Sequence, residues 1–414
     1  MPLIINNLKI DRISGPVSLS VLKPLVKNMP YLLIFGDQHF ENNHLCTKCT
    51  CTNPDHSCCF TVWSKEFIHN LESISRQLKQ PVDFYIEGMN SKKDIDYLYT
   101  GIKYTPEKLK FLHLDTIKDK KNLNRPMFML REHIWPCYYQ QDPTISSSEF
   151  FDEFCPFKKI RWNFSDPRQI DPNDYYKTYE SLLTVSIIYF FQVCNAKELR
   201  MNIIIDEYLR ITYHDDRDFM IHMFEMIILW FDIDNIDTFI HKYLDSNNTF
   251  FNKFSALTEF TNLRTKENMS MLKQLFLLRL KGLRELFEDE TFIEITKTCR
   301  LFLQECVSYI KDPSNTNQMR VNHLRRVNMD SDLLNMMIGL SSVIMNFYFL
   351  LLFYKNTQTK PYSPLNVVYF GLYHTQDITT FLLENKQYKA IYTKHYQEDD
   401  RCLNIVEDTV IINF

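Results

Sequence analysis

Two short apolar segments with the same ending stand out in the hydrophobic pattern of the chain. Residues 31–39 read YLLIFGDQH, and residues 366–374 read NVVYFGLYH. Apolar, partly β-branched runs of this length are typical of buried strands. Each segment therefore predicts a strand whose carboxyl end turns sharply at Gly-x-x-His and presents an imidazole. The alternative is a pair of ordinary strand-to-loop turns with surface histidines.

The scarcity of glycine gives this pattern weight. The chain has 7 glycines among 414 residues, whereas an average chain of this length has about thirty. Gly36 and Gly371 each lie three residues before a histidine at a predicted strand end. This coincidence favours a shared role for the two motifs.

The segment after the first motif predicts a strand–helix–strand unit. Apolar residues at helical spacing indicate an amphipathic helix over 65–79, and residues 82–88 form a second short apolar run that includes Glu87 near its end. The two strands of such a unit are parallel, and their carboxyl ends meet at one edge of the sheet. We therefore expect His39 and Glu87 to lie side by side, where open α/β sheets place their sites.

A third strand is predicted over 159–164, and it is followed by Asp166 and Arg168. Charged residues just beyond a strand end are candidates for the same site. A turn that carries a surface ion pair explains these two residues equally well.

The pattern then changes to long helical segments. The predicted helices cover 174–194, 197–213, 216–232, 267–288, 291–310 and 318–354. After the second motif strand, a helix capped by Thr375 and two strand-like runs near 388–392 and 402–406 return to alternating strands and helices. The sequence therefore predicts an α/β fold with a mostly parallel central sheet, formed by the N- and C-terminal parts, and a large helical insertion. The predicted domains are an N-terminal α/β half over 1–170, the helical insertion over 171–357, and a C-terminal half over 358–414 that completes the sheet.

One predicted helix has the length of a membrane span. The stretch from Leu333 to Tyr354 is 22 residues without a charge, which is enough to cross a bilayer. It contains two asparagines and two serines, and the second motif strand follows shortly after it. These features favour a buried core helix, with a membrane-tethered enzyme as the alternative.

Charge and termini limit the classes of function. The 47 Lys and Arg residues nearly balance the 51 Asp and Glu residues, and no run of like charges forms a polyanion-binding arm, so nucleic-acid binding is not predicted. The N-terminus lacks the basic and long apolar segments of a signal peptide. We therefore expect a cytoplasmic protein with mostly reduced cysteines, either free or packaged in a virus particle.

A cysteine-rich loop over 46–59 is the most biased segment. Its thiols and imidazole have spacings that close a tetrahedral zinc site in other proteins, which would stabilise the loop. The candidate ligands are Cys46, Cys49, Cys51, His56, Cys58 and Cys59. A disulfide-linked loop and a reduced loop without metal are the alternatives.

Two histidines and a carboxylate at strand ends are the ligand set of a catalytic divalent metal with an open position for water. His39, Glu87 and His374 form this set, and a bound Mn, Co or Zn ion would make hydroxide available at neutral pH. Asp37 would orient His39 or act as a general base, and Arg168 would hold a substrate carboxylate or stabilise an oxyanion. Without metal, His39 would act as the general base with Glu87 setting its tautomer.

Other catalytic classes lack their motifs. The Gly-Asp and Gly-Asn-His segments that complete a dinuclear metallophosphoesterase are missing, as are phosphate-binding glycine loops and Gly-x-Ser-x-Gly nucleophile elbows.

The paired Gly-x-x-His motifs with a strand-end glutamate resemble the TraB/PrgY/TIKI family and, more distantly, the erythromycin-esterase-like and ChaN-like proteins. The matching positions are Gly36, His39, Glu87, Gly371 and His374, and Asp37 is similar to an acidic residue of the esterase-like branch. The resemblance implies an α/β core with pseudo-symmetric halves. The TIKI branch implies metal-dependent peptide cleavage, and the esterase branch implies hydrolysis without metal. The helical insertion and the cysteine cluster depart from these families.

The sequence thus predicts a hydrolase of peptide or ester bonds that acts on a peptide or small-molecule substrate. The scarcity of glycine beside many Asn, Ile and Lys residues suggests an AT-rich genome. This composition, together with the architecture, resembles uncharacterised proteins of large cytoplasmic DNA viruses. The alternative is therefore a non-catalytic virion or host-interaction protein whose hydrolase-like fold carries a vestigial site.

Overall fold

Two parts of the chain, far apart in sequence, build the central sheet of the protein. The computed structural model describes residues 3–5, 8–10, 12–14, 16–37, 60–61, 65–87, 157, 159–165, 266–285, 330–395, 402–404 and 410–412, together with isolated helical positions between 221 and 311. Its elements are β1 (Leu3–Ile5), β2 (Leu8–Ile10), β3 (Arg12–Ser14), β4 (Ser18–Pro24), β5 (Tyr31–Asp37), β6 (Phe60–Thr61), α1 (Lys65–Leu78), β7 (Val82–Ile86), β8 (Ile160–Phe164), α2 (Lys266–Glu285), α3 (Asp330–Thr359), β9 (Leu365–Gly371), α4 (Leu372–Glu384), β10 (Tyr388–His395), β11 (Cys402–Asn404) and β12 (Val410–Ile412).

The main sheet has six strands in the order β10-β4-β5-β9-β7-β8. The two motif strands, β5 and β9, are parallel neighbours that pair in register from Tyr31 opposite Leu365 to Asp37 opposite Gly371. Strands β7 and β8 continue the parallel part on the other side of β9. Two smaller sheets have the orders β12-β1-β2 and β11-β3-β6.

The α/β class is confirmed, but the prediction of a mostly parallel sheet is wrong because the sheet is mixed. Strand β4 is antiparallel to both β5 and β10. A short turn over 25–30 joins β4 to β5, and a connection of this length permits only antiparallel pairing. The small sheets also combine parallel and antiparallel pairs.

The chain divides into two compact units. One comprises 1–166 and 348–414, and the other comprises 167–347. The core of the first unit includes buried strand residues such as Leu33, Phe84 and Val368. The three predicted domains, with boundaries after residues 170 and 357, stay a prediction.

Helix α3 contributes its C-terminal part to the first unit. The Phe349 ring meets the rings of Tyr85 and Phe370 edge-on, with 5.2 Å between centroids in each pair. Side chains alternate along a strand, and Phe84 and Trp162 accordingly pack together on the opposite face, with 5.0 Å between their centroids. Within the part of the chain that the structure describes, no helix has both the length and the apolar character that crossing a membrane requires.

A buried polar cluster joins β7 and β8 to α3. Arg161 Nε and Nη2 each donate to a carboxylate oxygen of Asp83 at 2.6 Å. Asn356 Nδ2 donates to Asn163 Oδ1 at 2.9 Å and to Tyr85 Oη at 3.1 Å. Burial raises the pKa of the Tyr85 phenol, and the nearby Asp83 charge raises it further. The phenol is therefore neutral. Asp83 and Arg161 form the ion pair of the cluster, and Lys360 Nζ donates to Asn163 Oδ1 at 3.3 Å beside it.

Gly36 allows helix α4 to approach β5 closely. A Cβ at this position would overlap Ser18 Oγ and would lie 2.6 Å from Thr375 Oγ1 and 3.1 Å from Leu372 Cδ1. The strand itself has ordinary geometry here, so the requirement for glycine comes from packing. The predicted sharp turn is wrong for this residue, because Gly36 lies within β5 and pairs with Phe370.

We expect Gly36→Ala to lower the free energy of unfolding by about 1–3 kcal/mol, because the added methyl group overpacks the β5–α4 contact. Guanidinium denaturation followed by circular dichroism measures this change. Gly282→Ala is the matched control, since a Cβ there meets nothing within 4 Å. In helix α2 the same substitution is expected to stabilise by about 0.4–1 kcal/mol. Equal effects of the two substitutions would contradict the packing role of Gly36.

Candidate functional site

The carboxyl ends of four parallel strands meet at one edge of the main sheet. Asp37 ends β5, Gly371 ends β9, and Glu87 and Ser165 directly follow β7 and β8. All three polar side chains are buried, with exposed fractions of 4% or less. Parallel strands place ligand sites at this edge because their helices begin there.

Glu87 joins β7 to the start of helix α4. Its main-chain N–H donates to Tyr369 O at 3.1 Å, which extends the β7–β9 ladder by one residue. Its Oε2 accepts the N–H of Gly371 at 2.7 Å. Gly371 is the N-cap of α4, so the carboxylate lies at the positive end of the helix dipole, where a negative charge is stabilised. The other carboxylate oxygen, Oε1, does not take part in this bond.

His374 lies in the first turn of α4 and is 7% exposed. The predicted cap at Thr375 is wrong, because α4 begins at Leu372, immediately after β9. Thr375 is inside the helix, where its Oγ1 donates to Leu372 O at 2.8 Å. The absence of a connecting loop here fixes His374 on a rigid element rather than on a turn.

The structure brings together two of the predicted site residues directly. His374 Nε2 is 3.9 Å from Glu87 Oε1. This distance is too long for a hydrogen bond, but it allows one water to bond to both atoms, and it becomes an ion pair when the imidazole is protonated. We refer to these two residues as the Glu87–His374 pair.

Asp37 belongs to the same edge through the backbone. Its Cα is paired with that of Gly371, the residue whose N–H is held by Glu87. The Asp37 side chain is 2% exposed. The two motif strands therefore end side by side at this edge.

Several predicted site residues fall outside the described part of the chain. These are His39, Arg168 and the candidate zinc ligands Cys46, Cys49, Cys51, His56, Cys58 and Cys59. Their proposed roles stay predictions. Asp166, the charged residue after β8, also lies outside.

The pair lies close to the separation that two ligands of one metal ion require. Nitrogen and oxygen ligands about 2.1 Å from a tetrahedral ion are about 3.4 Å apart. The observed separation of 3.9 Å is longer, so the two side chains would have to move closer together to bind one ion. In the described ranges, no group of three His, Cys, Asp or Glu side chains is arranged to hold a metal. A complete site would need His39 as the third ligand.

Ser165 was missed by the sequence analysis. It is 0% exposed, and its Oγ has no hydrogen-bond partner among the residues that the structure describes. Ser165 directly follows the predicted strand 159–164, and this position is a weak signal for a site residue. Asp166 and Arg168 are stronger candidates in the sequence because they are charged, and a serine next to them has no distinctive pattern.

Comparison with known proteins adds no relative to this picture: no family model matches the chain, and no curated protein or solved structure matches it. The resemblance to the TraB/PrgY/TIKI family therefore depends on the motif residues alone. Of these, Gly36, Glu87, Gly371 and His374 lie together at one edge of the sheet.

Proposed function

We propose that this protein is a hydrolase that activates water at the Glu87–His374 pair and cleaves a peptide or ester bond. The observation that carries the proposal is the 3.9 Å separation of Glu87 Oε1 and His374 Nε2. Both side chains are buried, and they lie at the strand edge where α/β folds place their catalytic groups. A carboxylate and an imidazole at this distance are suited to share one water molecule.

The two oxygens of Glu87 have separate tasks in this proposal. Oε2 accepts the Gly371 N–H and thereby fixes the orientation of the carboxylate. Oε1 takes a proton from the water as general base, while His374 Nε2 holds that water in position. The resulting hydroxide attacks the carbonyl carbon, and the leaving amine or alcohol departs with the proton.

A divalent ion held by His39, Glu87 and His374 would supply a more acidic water at the same place. The chain's own residues then act as ligands instead of as general base, and Asp37 and Arg168 keep the supporting roles proposed for them. The substrate is a peptide or a small ester in either case.

Glu87 also has a structural contact, and this favours a second candidate function. Its 2.7 Å bond to Gly371 N stabilises the β9–α4 junction whether or not chemistry occurs. A non-catalytic virion or host-interaction protein would need this contact alone. The two candidate functions differ in whether Glu87 Oε1 and His374 take part in catalysis.

Metal content and hydrolysis, measured together, test the proposal. If a divalent ion supplies the water, wild-type protein supplied with Mn, Co and Zn should bind about one ion per chain at this site, and His374→Ala should lose that ion, because an open catalytic site needs three protein ligands. If Glu87 Oε1 is the general base, hydrolysis needs no ion. Elemental mass spectrometry measures the ion, and fluorogenic peptide and ester panels measure hydrolysis. His395→Ala, which removes an exposed histidine from β10, is the matched control and should keep the ion.

Each other outcome points to a different function. Hydrolysis without a histidine-dependent ion supports general-base catalysis by the Glu87–His374 pair. Neither ion nor hydrolysis across both panels contradicts the hydrolase and supports the non-catalytic candidate.

A further inference from the structure

Ser165 is a buried hydroxyl that lacks a protein partner. Its side chain is 0% exposed, and no described residue bonds its Oγ. A buried hydroxyl without any hydrogen bond is costly, and native proteins usually satisfy such groups with ordered water or a ligand. A small polar molecule bound beside Ser165 would satisfy this hydroxyl.

The backbone places Ser165 directly beside Glu87. The N–H of Ser165 donates to Ile86 O at 3.0 Å, and this bond extends the β7–β8 ladder beyond the last strand pair, Ile86 and Phe164. Glu87 extends the β7–β9 ladder in the same way. The two residues are thus neighbours in register, and neighbouring strands lie about 4.8 Å apart.

Their side chains lie on the face of the sheet that α3 covers. Two residues earlier on the same strands, Tyr85 and Asn163 both accept hydrogen bonds from Asn356 of α3. Because strand side chains repeat every second residue, Glu87 and Ser165 point to that same face. The hydroxyl and the carboxylate therefore line one space.

Helix α4 brings His374 to this face as well. Gly36 pairs with Phe370, whose ring contacts Phe349 of α3. The Cβ direction of Gly36 leads to Thr375 of α4, so α3 and α4 share a face. His374 precedes Thr375 in the first turn of α4 and contacts Glu87 from this side.

We propose that Ser165 Oγ is the third protein anchor of the water held by the Glu87–His374 pair. The water donates one proton to Glu87 Oε1 and the other to Ser165 Oγ, and it accepts the Nε2–H of His374 with one of its two lone pairs. Both protons are then directed to the protein, and the second lone pair of the water is available to attack. The binding of this water follows from burial and register alone, whereas its role in catalysis rests on the proposed hydrolase function.

Ser165 is a positioning residue in this arrangement, since it orients the water without taking a proton from it. Its removal should lower kcat and leave KM nearly unchanged, because the substrate does not contact the hydroxyl. For Ser165→Ala we expect kcat to fall by about ten- to a hundred-fold. Loss of a general base typically lowers the rate by about 10²–10⁴-fold, so the expected effect of losing this positioning residue is smaller. Ser165→Thr keeps the hydroxyl and should recover part of the loss.

The deciding experiment is a crystal structure of the wild-type protein and of Ser165→Ala at a resolution that shows ordered water. We expect a water within hydrogen-bond distance of both Ser165 Oγ and Glu87 Oε1 in the wild type. It should be lost or displaced in the variant, while the bond from Gly371 N to Glu87 Oε2 remains. A wild-type Ser165 that bonds a protein atom, or that has no water beside it, overturns the proposal.

The kinetic and structural results separate the two proposals. Water at Ser165 without any hydrolysis contradicts the hydrolase but supports this binding site, and hydrolysis without water at Ser165 does the reverse. Thr379→Val is the matched control, because Thr379 in α4 is also a buried hydroxyl without a described partner. It lies five residues beyond His374, and we expect no change in kcat from its replacement.

Discussion

Replacing Arg161 with methionine is expected to lower the free energy of unfolding by about 3–5 kcal/mol, because it leaves a buried carboxylate without its cation. The partner, Asp83, is 2% exposed and receives two hydrogen bonds of 2.6 Å from the guanidinium. Arg161 Nη1 also donates to Pro361 O at 2.8 Å. The substitution thus removes three hydrogen bonds and an ion pair while it keeps most of the apolar volume of the side chain.

Guanidinium denaturation followed by tryptophan fluorescence measures this effect, since Trp162 is buried next to Arg161 in β8. Arg76→Met in α1 is the matched control. Arg76 pairs with Glu72 at 3.3 Å, but 67% of the arginine side chain is exposed. Glu72 is buried, yet it also accepts the N–H of Lys159 at 2.8 Å. The carboxylate therefore keeps a hydrogen-bond partner when Arg76 is replaced, and we expect a loss of about 1 kcal/mol or less. Similar losses at the two sites would contradict a special role for the buried pair.

The double variant Arg161→Met, Asp83→Asn measures the interaction energy between these two residues separately from their interactions with other residues. Once the carboxylate has become a neutral amide, the missing cation leaves no buried charge behind. We therefore expect the double variant to be more stable than Arg161→Met alone, with a coupling energy of about 0.5–3 kcal/mol. Additive losses would show that Asp83 and Arg161 contribute independently.

Sequence reasoning found the parallel part of the sheet because its strands are buried on both faces. Such strands read as continuous apolar runs, as in the two motif strands β5 and β9. The predicted strands at 82–88 and 159–164 correspond to β7 and β8, where apolar residues alternate with Asp83, Arg161 and Asn163. Strand β4 was missed because Ser18 to Pro24 has no continuous apolar run and lies among prolines. Without β4, the antiparallel pairs were invisible, and the sheet was predicted as mostly parallel.

The meeting of Glu87 and His374 could be predicted, but the reason for it was incomplete. Parallel topology brings the carboxyl ends of these strands to one edge. The strand–helix–strand order predicted that β5 and β7 are neighbours, but β9 lies between them, so Glu87 is next to the second motif strand instead of the first. Neither glycine has a backbone conformation that requires glycine, however. Gly36 makes room for α4, and Gly371 is an N-cap with φ −55° and ψ 148°, values open to any residue.

The detailed contacts of Glu87 and Ser165 depend on tertiary structure and could not be predicted from the sequence. That Gly371 donates to Glu87 Oε2 follows from the absence of a loop between β9 and α4, and no sequence signal specified this. The sequence also cannot show that the Ser165 hydroxyl lacks a hydrogen-bond partner, because this depends on the atoms packed around it. Contacts of this kind are determined by tertiary packing and not by the residue type alone.

Replacing Glu87 with glutamine is expected to reduce hydrolysis by about 10²–10⁴-fold if Oε1 is the general base, since an amide cannot take the proton of the water. The amide oxygen of glutamine still accepts the N–H of Gly371, so the β9–α4 junction should persist. The substitution therefore removes the chemistry and keeps the fold. Steady-state rates on the most active peptide or ester substrate, together with thermal unfolding, measure the two effects separately.

Glu384→Gln is the matched control, because Glu384 is an exposed carboxylate at the other end of α4. It should change neither the rate nor the melting temperature. Glu87→Ala should lower both, because alanine cannot accept the bond from Gly371. If Glu87→Gln hydrolyses the substrate as fast as the wild type while Glu87→Ala unfolds at a lower temperature, the carboxylate has only its structural role. The nucleophilic water would then have to be activated elsewhere along this edge of the sheet.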